Sequence, residues 1–196
     1  MTDLKKLSRG GRVLKIAQMG HPILRTVCDS IDIKKDYDST MEHMRDMAAT
    51  VLDYGAAAGL AAPQVYIPKR ILFYEYPGER GDDDYPDGVP PTFLVNACYK
   101  PATDKKISFW EGCLSLDGWM GWVPRYDIIR LTAQRFKGDH FVSVDREIRG
   151  YHARILQHEI DHLDGILYVD RIKDFTRYGR REIVTRYYGR NGKKID

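Results

Sequence analysis

Hydrophobic positions along this chain change period several times, and each change predicts an element. Met44, Met47, Ala48, Val51 and Leu52 recur at helical spacing, predicting a helix over 41–54 with Ser39 or Thr40 as cap and Gly55 as stop. A shorter helix is expected over 22–29, opened by Pro22. Apolar runs at 71–76, 92–99, 126–136 and 140–148 read as strands, the last two joined by a turn at Lys137-Gly138-Asp139. Segment 77–91, rich in Gly, Asp and Pro, reads as a solvent loop, while 56–65 is small and apolar, suited to backbone that something approaches closely. The strongest helix is 150–163. Tyr151, Ile155, His158 and His162 form one stripe, Leu156, Ile160 and Leu163 a neighbouring one, and Gly165 stands at the C′ position. Strands followed by one dominant helix, without βα alternation, predict an α+β fold: antiparallel sheets packed around this central buried helix, with a C-terminal helix beyond it.

Composition narrows the class. A chain of 196 residues, 43% hydrophobic and 30% charged, is ordinary for one soluble domain with a tail. No apolar run approaches the roughly 20 residues of a membrane span. Met1 to Gly20 lacks the apolar stretch of a secretory signal; its cations (Lys5, Lys6, Arg9, Arg12, Lys15) are too few and irregular for an organelle presequence. Cys28, Cys98 and Cys113 are odd in number and widely spaced, which argues against a disulfide framework and for the cytoplasm. The net charge of +3 is too small for nucleic-acid binding by the whole chain. From Arg171 onward, however, nine cations against three acids leave +6. The expected division is a catalytic body at 1–172 and a basic helix or tail at 173–196. The tail reads first as a solvated helix. Tyr178, Tyr187 and Tyr188 offer a way to pack it back on the body.

The chemistry is concentrated in His158-Glu159-Ile160-Asp161-His162. On a helix, positions i and i+4 share a face with Cβ atoms about 5–6 Å apart, so two imidazoles can grip one metal ion while the glutamate reaches a water beside it. This spacing points to a metal-dependent hydrolase. The third ligand decides which one. A third histidine six residues past the second is excluded, because Tyr168 stands there. Glu182 is at a workable distance along the chain but sits among Arg180, Arg181 and Arg186. Cys113, in Glu111-Gly112-Cys113-Leu114-Ser115, supplies a thiolate suited to a borderline divalent ion. Spacing alone does not separate it from Cys28 or Cys98.

Three segments together resemble the peptide deformylase family: Gly59-Leu60-Ala61-Ala62-Pro63-Gln64, the 111–115 segment, and 157–165, Gln-His-Glu-Ile-Asp-His-Leu-Asp-Gly. The resemblance runs from about Ile16 to Ile172. It implies removal of the formyl group from N-formylmethionine at the start of new polypeptides, with release of formate. It also implies that Cys113, His158 and His162 hold Fe2+, with Zn2+, Ni2+ or Co2+ able to replace it, and that Glu159 is the general acid/base. Gln64 and the Leu114 N–H would face the developing oxyanion, and Glu111 and Arg125 would form a structural ion pair. Gly59, Ala58, Gly112, Tyr151 and Ile155 would line the peptide site. For the basic tail, the sharper reading is docking to the ribosome near the nascent-chain exit. Three positions depart from the family pattern: Ala57 replaces a glycine, Met120 an arginine of the substrate loop, and Arg154 an apolar residue near the side-chain pocket. Each departure bears on substrate preference.

Overall fold

The computed structural model describes residues 3–55, 57–78 and 87–195. Ala56, Asp196 and positions 79–86 of the expected solvent loop lie outside the described residues. In chain order the elements are α1 (Leu4–Leu7), α2 (Tyr37–Tyr54), β1 (Gly59–Ala61), β2 (Ile71–Pro77), β3 (Gly88–Pro101), β4 (Lys106–Glu111), β5 (Trp119–Tyr126), β6 (Ile128–Phe136), β7 (Phe141–Arg149), α3 (Gly150–Leu163), β8 (Tyr178–Arg180) and α4 (Arg181–Tyr187). Two antiparallel sheets result, one in the order β1-β2-β3-β6-β7 and one in the order β4-β5-β8. The fold is α+β with a C-terminal helix.

Alternation in β2 explains the layering. Leu72 and Tyr74 share a buried cluster with Leu94, Ile129 and Leu131 and with Leu156, Ile160 and Leu163 of α3. Ile71 and Phe73 point the other way, into a cluster with Phe93, Val95 and the α2 residues Met44, Met47, Ala48 and Val51. The larger sheet is thus covered on both faces, which makes β2 an almost continuous apolar run. Helix α3 meets β1, β2, β3, β6 and β7 of this sheet and β5 of the smaller one. Its polar residues are buried with its apolar ones, including Gln157, Asp161 and His162 at 1% exposure each. Gln157 bonds both backbone groups of Tyr126, at 2.9 and 2.8 Å, and so ties the helix to the end of β5. A third cluster packs Ala17 and Leu24 against Leu116, Val123, Leu167, Tyr168 and Ile172.

Several sequence expectations are corrected. Helix α2 begins at Tyr37, ahead of Ser39 and Thr40: the Ser39 hydroxyl and the Thr40 N–H both donate to the Asp36 carbonyl from inside the first turn. Leu52 faces outward at 39% exposure. The expected helix at 22–29 is a single 3-10 turn over Pro22–Arg25, because the chain is then drawn out to bond Leu163 and pair with Lys69. The expected strand at 126–136 breaks at Asp127. There the chain changes sheets, held by bonds to the Lys105 carbonyl and from the Gly150 N–H. β1, β4, most of β5 and β8 were not foreseen. Gly121 and Pro124 read as breakers, but β8 covers only Trp119–Gly121 of β5, leaving one side of Pro124 free of a strand partner. The C-terminal segment adds β8 to the small sheet before the seven-residue α4. Two of its three tyrosines pack back: Tyr178 stacks on Trp119 with ring centres 5.2 Å apart, and Tyr188 lies 5.8 Å from Trp110, whereas Tyr187 is exposed.

Gly165 closes α3 with φ +71°, and a Cβ there would lie 2.7 Å from the Arg25 carbonyl oxygen. Gly165→Ala is expected to cost about 2 kcal/mol, or roughly 4–8 °C in Tm, through the left-handed backbone and the contact together. Thermal unfolding followed by circular dichroism checks it; an unchanged midpoint would refute this account of the helix end.

Candidate metal centre

Helix α3 carries His158 and His162 one turn apart, with ring centres 5.0 Å apart. Cys113 comes from a different element. It follows β4 and opens the 3-10 turn Leu114–Leu116. Its Sγ lies 3.3 Å from His162 Nε2, and one donor atom each from Cys113, His158 and His162 lie within 4.8 Å of one another. One sulfur and two nitrogens in this arrangement suit a four-coordinate divalent ion with one position left over. Glu182 is elsewhere, exposed and paired with Arg180 at 3.5 Å. Tyr168 is buried, with its ring stacked on His158.

The surroundings orient these donors. His158 Nδ1 meets Glu111 Oε2 at 3.0 Å, which leaves Nε2 for the ion. Glu111 is gripped bidentately by Arg125, at 3.0 and 2.9 Å, and Arg125 also bonds Asp161. Arg171 adds two contacts to Asp161. Arg154 turns to the Glu111 carboxylate and the Val123 and Ile107 carbonyls, with its guanidinium over the Phe109 ring. The expected Glu111–Arg125 ion pair is therefore part of a larger buried network. Arg154 joins it, and nothing in the sequence signalled that role.

Charge follows from this network. Burial works against ionised Glu111, but Arg125 and the His158 hydrogen bond outweigh it and hold the carboxyl well below its usual range. Burial also opposes protonation of His158, yet contacts with Cys113 and Glu111 raise its pKa well above that of an ordinary histidine. Burial, then the charges on His158 and Arg125, hold His162 well below. A divalent cation bound to His158 would displace its proton.

The opposite wall is β1 and the turn after it. Gln64 is buried. Its Oε1 accepts from the Ala61 N–H at 2.9 Å, and its Nε2 points to Cys113 Sγ at 3.3 Å and Ser115 Oγ at 3.2 Å. Gly59 lies directly against the Glu159 carboxylate, and a Cβ on Gly59 would come within 2.2 Å of Glu159 Oε1. Glu159 Oε2 is buried and has no partner among the described residues. The Leu114 N–H heads its 3-10 turn, so no carbonyl within the turn is available to it. Among the described residues β1 pairs only with β2, so the other side of Gly59–Ala61 has no strand partner there; Ala58 lies exposed just before it. Ile155 is buried in the α3 cluster, and Tyr151 packs on Tyr76 at its edge. Gly112 lies between Trp119, Met120 and the side chain of Arg181. Ala57 is accommodated without strain: among the described residues positive φ outside glycine occurs only at Tyr66 and Asn96.

Fold and site define an α+β hydrolase of the HExxH type whose helix histidines are joined by a cysteine. A family model described as polypeptide deformylase matches residues 13–178. Peptide deformylase 2 of Ralstonia nicotianae is 43% identical over 143 residues, 72% of this chain and 77% of that protein. The class I type b peptide deformylase of Acinetobacter baumannii, solved bound to K2U, is 31% identical and covers 83% of this chain and 100% of its own, with a TM-score of 0.70. The same enzyme solved with Met-Ala-Ser bound gives a TM-score of 0.68 at 31% identity, over 82% and 98% of the two chains. The chain belongs to the polypeptide deformylase family. No helix among the described residues is long and apolar enough to cross a membrane.

Burial raises Glu159 from 4.5 to about 7. Its folded pKa exceeds the unfolded one, so the metal-free protein loses stability as pH rises from about 4.5 through 7, by roughly 3 kcal/mol. Glu159→Gln removes that buried charge. With chelator present, the variant is expected to melt above the wild type at pH 8, and the gap should close below about pH 4.5. A gap independent of pH in paired melting curves would contradict this.

Proposed function

We propose that this enzyme removes the formyl group from N-formylmethionyl peptides and releases formate, using Fe2+ held by Cys113, His158 and His162. The observation that carries the proposal is the convergence of the Cys113 sulfur on His162 Nε2, beside a glutamate seated against Gly59. A bound divalent ion polarises a carbonyl and lowers the pKa of water beside it toward roughly 7.

The chain's own residues do the rest. Glu159, with a buried oxygen that has no partner among the described residues, takes a proton from the attacking water and returns it to the leaving amine. Gln64 Nε2, which points to Cys113, and the Leu114 N–H, which has no acceptor within its turn, are the donors assigned to the charge that gathers on the former carbonyl oxygen. Glu111 holds His158 in one tautomer through the reaction. The free edge of β1 accepts the peptide backbone as an added strand, with Gly59 at the contact. Ala58, Gly112, Tyr151 and Ile155 complete the peptide site. Binding of Met-Ala-Ser by the Acinetobacter enzyme supports a substrate whose first residue is methionine. Preference for a formyl group is steric on this reading: its carbon bears only hydrogen, so a site closed beside Glu159 and Gly59 would admit it and exclude a longer chain. Three free cysteines suit a reducing cytoplasm.

Anaerobic, iron-loaded protein is expected to release formate from formyl-Met-Ala-Ser. Gln64→Ala should lower kcat by about 10²–10³, the usual worth of one oxyanion donor. Cys113→Ala should lose the metal and Glu182→Gln keep it. Iron should predominate in metal analysis of freshly isolated protein. Absence of formate, or the reverse metal result, would refute the reading.

Residues 1–172 are proposed to carry the chemistry, and 173–196 to dock on the ribosome near the nascent-chain exit through exposed Arg186, Arg190, Lys193 and Lys194. Reversing the first three to Glu is expected to weaken sedimentation with ribosomes and flatten its salt dependence. Unchanged affinity would discard the docking surface.

A further inference from the structure

The C-terminal segment reaches the site as well as the surface. β8 pairs with the start of β5, Trp119 opposite Arg180 and Met120 opposite Gly179. The Arg181 N–H then donates to the Gly118 carbonyl at 2.8 Å, and its own carbonyl accepts from Thr185 Oγ1 at 2.7 Å. The backbone of Arg181 is fixed on both sides. Its guanidinium extends to Gly112, the residue before the ligand Cys113, with Nη2 3.3 Å from where a Cβ of Gly112 would stand. The Trp119 carbonyl and Met120 side chain surround the same point.

The neighbouring cations are spent on other groups. Arg171 pairs with Asp161, Arg177 with Asp174, and Arg180 with Glu182 while lying over the Trp119 ring. Arg181 is exposed and makes no ion pair among the described residues. A guanidinium anchored by its backbone, lacking a carboxylate, and one residue from a metal ligand is a site for an anion supplied by something else. An extended peptide advances about 3.3 Å per residue. A peptide running from Cys113 past Gly112 would carry a carboxylate on its second or third residue about 7–10 Å along, toward the guanidinium.

We propose that Arg181 selects formyl peptides bearing an acidic residue at the second or third position after the formyl group, by pairing with that carboxylate at the mouth of the site. This rests on the deformylase reading and adds a specificity determinant from outside the expected catalytic body.

The test compares amidated formyl peptides with Glu, Gln or Lys at the second or at the third position, using iron-loaded full-length protein at low salt. Wild type is expected to favour Glu over Lys by about tenfold in kcat/KM at one of the two positions, mostly through KM. Arg181→Ala should bring the ratio near one, Arg181→Glu should invert it, and Arg181→Lys should keep its sign. The wild-type ratio should shrink as salt is added. A ratio near one in wild type at both positions, or one that Arg181→Glu leaves unchanged, overturns the assignment while formate release still upholds the enzyme. Failure of wild type to deformylate any of the peptides overturns both.

Discussion

Arg125, 3% exposed, sits between two acids that come from different parts of the chain: Glu111 at the end of β4 and Asp161 in the last turn of α3. The rest of the site depends on it. A guanidinium taken out of water is costly by several kcal/mol, and it is tolerated here because its donors meet both carboxylates. The same contacts join the small sheet to the helix and hold Glu111 ionised. Glu111 in turn orients the His158 ring. The candidate metal ligand His158 is therefore positioned by an electrostatic clamp in which neither carboxylate is free to move without leaving a buried charge unmatched.

Two further arginines extend the clamp. Arg171 closes Asp161 from the segment after α3, and Arg154 gives Glu111 a second cation. By analogy with the family pattern, Arg154 was expected to affect the substrate pocket. Its bonds to Glu111 and to the carbonyls of β4 and β5 make it part of the support for His158. Gln64 provides the equivalent link on the other wall: its carbonyl oxygen is occupied by the Ala61 N–H, so its amide is turned toward Cys113. His158 and Cys113 are thus each reached by a polar side chain from another element, while His162 Nδ1 is buried without a hydrogen-bond partner among the described residues.

Much of this was legible because local chemistry and periodicity agree over α3. Its limits, 150–163, follow from the apolar stripes and from Gly165, whose positive φ no β-carbon-bearing residue would adopt cheaply. The histidine spacing belongs to the helix itself. The smaller sheet was another matter. β4 and β5 expose aromatics such as Phe109 and Trp119, so burial does not mark their faces, and Gly121 and Pro124 look like turn residues. β8 is three residues long and exists only because β5 lies beside it.

By itself, the order of residues determined the helix, its two imidazoles and the carboxylate between them, because a turn of 3.6 residues brings i and i+4 together without help from elsewhere. It also placed a strand, a long helix and their stops wherever hydrophobic period and a glycine coincided. Which cysteine joins the histidines, where Arg154 points, and that Arg181 comes to rest beside Gly112 were decided by the tertiary structure. Those are meetings between segments about 40 to 70 residues apart, and they depend on how the two sheets close around α3.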